Sequence, residues 1–276
     1  MVALAAIGLA VALQSGRQKL RFEAVYEIAV KNQGFNEVSG LALAEGGGLW
    51  SVSDDTKQLF LLDAKGKIAS DGTPGETGLE GIESDAARGR ILAVREDTGE
   101  ILVFGADGTV QRHYIGRIEG AAKLVREPRD WTDNNGLEGI TVEPASGAVF
   151  VVKERDPRLL IELDPALKRV RRALTLTAAL GFRSEDANDD DLDVSGLAWD
   201  AGRRGFWITS DTGKSVYFLD LRSMRARGWA LLAPHGGEMK AVSNAEGVAL
   251  SADGGRLFIV TDDGAHSRLL VYRVEG

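Results

Sequence analysis

Cysteine is absent from the sequence, which excludes disulfides, thiolate nucleophiles, cysteine-ligated zinc and an acylated lipoprotein cysteine. Proline is scarce at six residues and histidine scarcer at three, so imidazole-based metal sites have little to draw on. The apolar run from Val2 to Leu13 stops at twelve residues, short of the roughly 18–20 that a spanning helix needs. Basic residues are outnumbered, 33 Lys and Arg against 41 Asp and Glu, and the net charge of −8 disfavours nucleic acid and points to cations as partners. No G-x-S-x-G elbow, H-E-x-x-H pair, P-loop or G-x-G-x-x-G turn occurs, so the common nucleophile and cofactor classes lack support.

What is present is an ordinary soluble composition, 44% hydrophobic and 27% charged, with 34 glycines that imply many short turns. The sequence divides into an apolar segment over 1–18 and one domain over 19–276. Val2 to Leu13 has the length of a secretory h-region, and Ala10-Val11-Ala12 fits a small-x-small cleavage site, but no Lys or Arg precedes it. An export or anchoring remnant and a short helix of the mature fold both remain open. The first implies a periplasmic, secreted or membrane-associated protein.

One phrase recurs five times: Val38-Ser39-Gly40-Leu41, Leu79-Glu80-Gly81-Ile82, Leu137-Glu138-Gly139-Ile140, Val194-Ser195-Gly196-Leu197 and Ala245-Glu246-Gly247-Val248. After each comes a small-residue turn and an apolar run that ends in an acid: Asp54, Glu96, Glu154, Asp211 and Asp262. From the Glu or Ser to that acid the interval is sixteen residues in four copies and fifteen in the first. A third strand-like run follows in every copy, and a fourth, more polar one in the first four. The fifth copy ends with the chain at Gly276, and the strand-like Leu20 to Val30 can supply its missing strand.

Four antiparallel strands repeated five times predict an all-β, five-bladed β-propeller, its ring closed where the amino-terminal strand, about 20–30, joins the last blade. Runs such as Ile91 to Val94 and Val149 to Val152 are apolar on both faces, as strands covered by neighbouring blades are. The recurrent glycine suits close backbone approach near the axis.

In such a blade the innermost strand starts on the face where the second, antiparallel strand ends. The spacing therefore predicts one mouth lined by Glu80, Glu138 and Glu246 with Ser39 and Ser195, and just outside them Asp54, Glu96, Glu154, Asp211 and Asp262. Crowded carboxylates raise one another's pKa or recruit a counter-charge. The remedy is either a structural ring of ion pairs to Arg95, Lys153, Arg155 and Lys214, or a bound hard cation. For an all-oxygen set without cysteine, Ca²⁺ is the expected ion.

Asp186, Asn188 and Asp190 match the first positions of a calcium loop, but Asp191 replaces its glycine and Leu197 its bidentate Glu, so the stretch reads as a solvated charge run that leads over the acidic mouth. Trp131, in the link before Glu138, is either a ligand-stacking ring or a residue tucked over a blade. Asp133, Asn134 and Asn135 are either oxygen ligands or turn residues. Of the histidines, His113 and His235 read as structural or loop residues, and His266 falls on the acidic face, where an exposed loop residue and a general base are both open.

The repeated phrase with its acid-terminated strand resembles the bacterial SdiA-regulated proteins, the YjiK-like family, over about residues 20 to 276. Leu79-Glu80-Gly81-Ile82 with Glu96, Leu137-Glu138-Gly139-Ile140 with Lys153-Glu154-Arg155, and Val194-Ser195-Gly196-Leu197 with Asp211 carry the resemblance. It implies a propeller, often behind an export or membrane segment, with no assigned activity and with room for calcium at the carboxylate mouth. Asn135-Gly136-Leu137-Glu138-Gly139-Ile140 is also similar to the signature of esterase-like phytase domains.

Two functions follow as expectations. One is a monomeric, non-enzymatic calcium-binding platform for a small anionic ligand or a protein partner. The other is a metal-dependent hydrolase of phosphoesters or lactones, in which a spare carboxylate activates water and Arg95, Lys153 or Arg155 grips the substrate.

Overall fold

The computed structural model describes residues 18–28, 35, 37–132 and 135–276. Val2 to Leu13, Asp133 and Asn134 lie outside the described residues. Among the described residues no helix is long and apolar enough to cross a membrane.

Among the described residues the first strand is β1 (Lys19–Glu27), and four-stranded antiparallel sheets follow in sequence order. The first is β2 (Val38–Leu43), β3 (Leu49–Ser53), β4 (Gln58–Leu62) and β5 (Ile68–Pro74), the second β6 (Gly81–Asp85), β7 (Arg90–Arg95), β8 (Glu100–Gly105) and β9 (Val110–Tyr114). The third is β10 (Leu137–Val142), β11 (Val149–Lys153), β12 (Leu159–Leu163) and β13 (Val170–Thr175), the fourth β14 (Leu197–Asp200), β15 (Gly205–Ser210), β16 (Ser215–Asp220) and β17 (Arg225–Ala230). After a hairpin of β18 (Leu232–His235) and β19 (Glu238–Ala241), the fifth sheet forms from β20 (Ala245–Leu250), β21 (Arg256–Thr261) and β22 (Arg268–Glu275). Its outer strand is β1, paired antiparallel to β22 from Lys19↔Glu275 to Glu27↔Arg268. The protein is thus a five-bladed propeller closed by its two ends, as the repeat predicts.

Five hydrophobic clusters fill the five spaces between blades. This explains the runs that lack alternation. On β7, Leu92 and Val94 pack toward the third blade while Ala93 packs toward the first. On β11, Val149 and Val151 face the second blade, and Phe150 and Val152 the fourth. Alternate side chains enter different cores, so both faces must be apolar.

The repeated glycine sets the waist of the ring. A Cβ on Gly40 would stand 2.6 Å from the Glu80 carbonyl oxygen, on Gly81 2.5 Å from that of Glu138, and on Gly139 2.6 Å from that of Ser195. On Gly196 it would stand 2.4 Å from the Glu246 oxygen, and on Gly247 2.7 Å from that of Ser39, which completes the circle. Each inner strand thus abuts the next through a missing side chain. The glycines and the aliphatic residues that follow them line the axis, where a void of only about 10 Å³ remains. The two mouths of the channel are separated by this plug.

One element differs from the sequence reading. His235, read from the sequence as a structural or loop residue, ends β18, and Gly236-Gly237 close the β18–β19 hairpin at φ 62° and 87°. Two consecutive positive φ values are what a tight two-residue hairpin turn requires.

Candidate metal centre

The strand registers bring the acids to one end of the ring. The Glu154 amide donates to the Gly136 carbonyl at 3.0 Å, and Leu137 pairs with Lys153, so Glu138 and Glu154 leave the same end of their hairpin. Equivalent bonds run from Glu80 N–H to the Val94 carbonyl (3.0 Å), Asp54 N–H to Glu37 (3.2 Å) and Asp262 N–H to Asn244 (2.8 Å). In the fourth blade, Ser195 and Gly196 precede β14, held by the Ser195 N–H to the Thr209 carbonyl (3.0 Å) and by the Ser195 hydroxyl to the Ala245 carbonyl (2.8 Å).

The result is a cavity of about 290 Å³ above the waist. Glu80, Glu138, Glu246, Asp54, Glu96, Glu154, Asp211 and Asp262 all line it, together with Ser39 and Ser195. Two further residues join them. Asp193, which the sequence shows only as the last of an acidic run, is buried at the wall and accepts the Ser210 hydroxyl at 2.7 Å. Thr212, also on the wall, gave no signal in the sequence because a lone threonine in a turn carries none.

The basic and aromatic candidates are distributed differently. Arg155 lines the cavity and pairs with Glu154, the one cation among the described lining residues. Arg95 reaches outward to Glu100 (3.0 Å) and Glu76 (3.4 Å). Lys153 is buried and its ammonium donates to the Arg155 carbonyl. Trp131 is 1% exposed and packs into the core between the second and third blades. Lys214 reaches Ser243 at 3.5 Å. None of these four lines the cavity. The Asp186 to Asp193 stretch closes on itself as a turn, with the Asp190 and Asp191 amides donating to Asn188 Oδ1, and Arg158 ties Asp189 at 2.6 Å. His266 is exposed and stands outside the lining.

Nine crowded acids against one arginine strain the electrostatics. Burial, then Glu80, Glu246, Glu96 and Glu154, hold Glu138 well above the ordinary carboxyl pKa. Burial and then Glu80, Asp211, Asp193 and Asp262 do the same to Glu246. Glu80 is pushed up to about 8 by burial and Asp54, against a hydrogen bond with Ser39. Burial lifts Glu154 to about 7 despite Arg155, and Glu96, Asp54, Asp211 and Asp262 are raised mainly by burial as well.

Glu96, Glu138 and Glu154 each place a carboxylate oxygen within 4.8 Å of the other two. Oxygens on one Ca²⁺ at about 2.4 Å stand no more than about 4.8 Å apart, so the three fit one coordination sphere. The donors are all oxygen, the set that hard cations take and that zinc and copper do not favour.

A family model described as SdiA-regulated matches residues 17–263. No curated protein matches the chain. Among solved structures, Myxococcus xanthus glutaminyl cyclase superposes with a TM-score of 0.58 at 14% identity, over 93% of this chain and 96% of that one. XC5397 from Xanthomonas campestris, described as a gluconolactonase, gives 0.56 at 15% identity, over 92% and 91%. A chain of a nidogen/laminin complex gives 0.53 at 15% identity, over 88% and 85%. At such identities the likeness is one of fold.

Proposed function

Because this chain belongs to the SdiA-regulated family of proteins, whose resemblance brings no assigned activity, we propose its function from the mouth: a calcium-binding propeller that presents the bound ion to an anionic ligand or partner. The observation that carries this reading is the oxygen triad of Glu96, Glu138 and Glu154. Glu138 is enclosed among four other carboxylates, and the nearby Arg155 makes its ion pair with Glu154 instead. A divalent cation removes that repulsion and replaces the water the carboxylates lost on burial.

The roles divide by position. Glu96, Glu138 and Glu154 hold the ion. Glu80 and Glu246, which face Glu138 across the pore, add charge and raise affinity. Asp54, Asp211 and Asp262, at the rim, extend the field that draws cations in. A cavity of about 290 Å³ leaves room beside the ion for a carboxylate or phosphate group of a ligand.

Hydrolysis of a phosphoester or lactone is the second reading, supported by the same open cavity and by carboxylates beyond the triad that could serve as base. Its anion grip falls to Arg155 alone, since Arg95 and Lys153 are engaged elsewhere.

Titration calorimetry of chelator-treated protein with calcium chloride tests the proposal. One binding event that Glu138→Gln weakens at least tenfold supports it, and silent calorimetry with an unchanged melting temperature in calcium and in chelator overturns it. Turnover of a generic phosphoester or lactone that requires calcium would move the reading to the hydrolase.

A further inference from the structure

The opposite mouth of the channel, below the glycine waist, opens into a cavity of about 380 Å³. Two residues beyond each waist glycine, the inner strands carry Ala42, Glu83, Thr141, Ala198 and Ala249, all on the cavity lining. Four small side chains leave the space, and the fifth is a glutamate.

Glu83 differs from every other carboxylate on that lining. Asp85 is paired with Arg88 at 3.1 Å and Arg90 at 2.9 Å. Asp200 takes Arg203 at 2.9 Å and the Trp207 indole N–H at 3.1 Å. Asp253 accepts the Ser251 hydroxyl at 2.6 Å and the Gly255 amide at 2.9 Å on the exposed rim. Glu83 alone stands half-buried without a basic partner among the described residues; its carboxylate accepts the Thr141 hydroxyl (2.6 Å), the Ser84 amide (2.7 Å) and the Val142 backbone amide. The Thr141 oxygen in turn accepts the Trp199 amide at 3.1 Å, which directs its own hydrogen to Glu83 and fixes the carboxylate. A half-buried carboxylate held by neutral donors still lacks a counter-charge.

We propose that this lower mouth is a second ligand site, for a small organic cation: a primary ammonium group against Glu83, with its apolar body against Leu41, Leu197 and Trp199. The site is independent of the metal reading, because the plugged waist separates the two mouths. A site of this size with apolar walls and a few fixed polar groups is the usual form of a small-molecule pocket. Burial, which raises the Glu83 carboxyl to about 7, adds that its charge is easily recruited near neutral pH by an arriving cation.

Phenethylamine is the probe, titrated by calorimetry and by tryptophan fluorescence into wild type, Glu83→Gln, Glu246→Gln and Trp199→Phe. The proposal expects binding to wild type and to Glu246→Gln alike, about tenfold or more weaker binding to Glu83→Gln, and loss of the fluorescence change in Trp199→Phe. Should Glu83→Gln not fold, the comparison is 2-phenylethanol on wild type, which must bind about tenfold more weakly than the amine. No binding of phenethylamine overturns the proposal. So does binding that Glu246→Gln abolishes and Glu83→Gln leaves intact, which would put the amine in the acidic mouth.

Discussion

Gly139 approaches Ser195 so closely that a Cβ built on it would stand 2.6 Å from the Ser195 carbonyl oxygen and 2.8 Å from the Leu197 nitrogen. Both obstacles are backbone of the next blade, which cannot swing aside as a side chain can. Gly139→Ala should therefore destabilise the fold by about 3 kcal/mol or more, the upper range for overpacking. Urea denaturation measures it. By contrast, Gly108→Ala, in a turn with open space around it but φ 81°, carries only the local cost of a positive φ, about 1 kcal/mol. Equal losses at the two positions would show that the waist is not the constraint described.

Glu138→Gln should move two quantities in opposite directions. In chelator it removes a carboxylate crowded by Glu80, Glu246, Glu96 and Glu154 and raises the melting temperature at about pH 8. In calcium it removes one oxygen of the triad and weakens binding at least tenfold. A structural ring without metal predicts the first change and no calcium effect at all. Thermal melts with and without chelator separate the two.

The legible part of the molecule is what the hairpin period dictates. Glu138 and Glu154 are sixteen residues apart in sequence and end up at one end of β10 and β11, and every copy repeats the relation. The closing strand was readable as well, because a fifth copy one strand short needs a donor and β1 precedes the first copy. Relations that cross from blade to blade were not. Nothing in the neighbourhood of Glu83 names Thr141, 58 residues later, as its partner. Side-chain direction at a strand end was equally opaque: Arg95 and Arg155 follow the same pattern of base beside acid, yet one turns out to Glu100 and the other in to Glu154. Asp193 was hidden in its acidic run, since seven neighbours of similar composition give no hint of which one is buried.

Arg155 competes with any cation for Glu154. Arg155→Ala should lower the stability of the chelated protein, because Glu154 then loses the guanidinium whose hydrogen bond and charge offset its burial. The same substitution should tighten calcium binding several-fold, because the ion no longer displaces a guanidinium. If calcium affinity instead falls with Arg155→Ala, Glu154 is not a ligand, and the ion, if any, sits on the Glu80 and Glu246 side. Titration calorimetry at one ionic strength decides.

The pH dependence carries a definite sign. Glu80 rises from the ordinary 4.5 to about 8 and Glu154 from 4.5 to about 7, so between those values the folded protein holds protons that the unfolded chain has released. A state that binds more protons gains stability as pH falls and loses it as pH rises. In chelator, the melting temperature should therefore decline from about pH 5 to about pH 8, and the raised Glu138 and Glu246 act in the same direction. The acids whose pKa is lowered, Glu23, Asp107, Asp130 and Asp253, are ionised in both states across this window and leave the slope alone. Calcium binds the deprotonated form, so its stabilising effect should be small at about pH 5 and largest at about pH 8, opposite in trend to the chelated protein. Melting curves at matched ionic strength across this range give both slopes. A chelated protein that grows more stable toward pH 8 would mean that the mouth carboxylates are already paired with cationic groups, and the case for the ion would go with it.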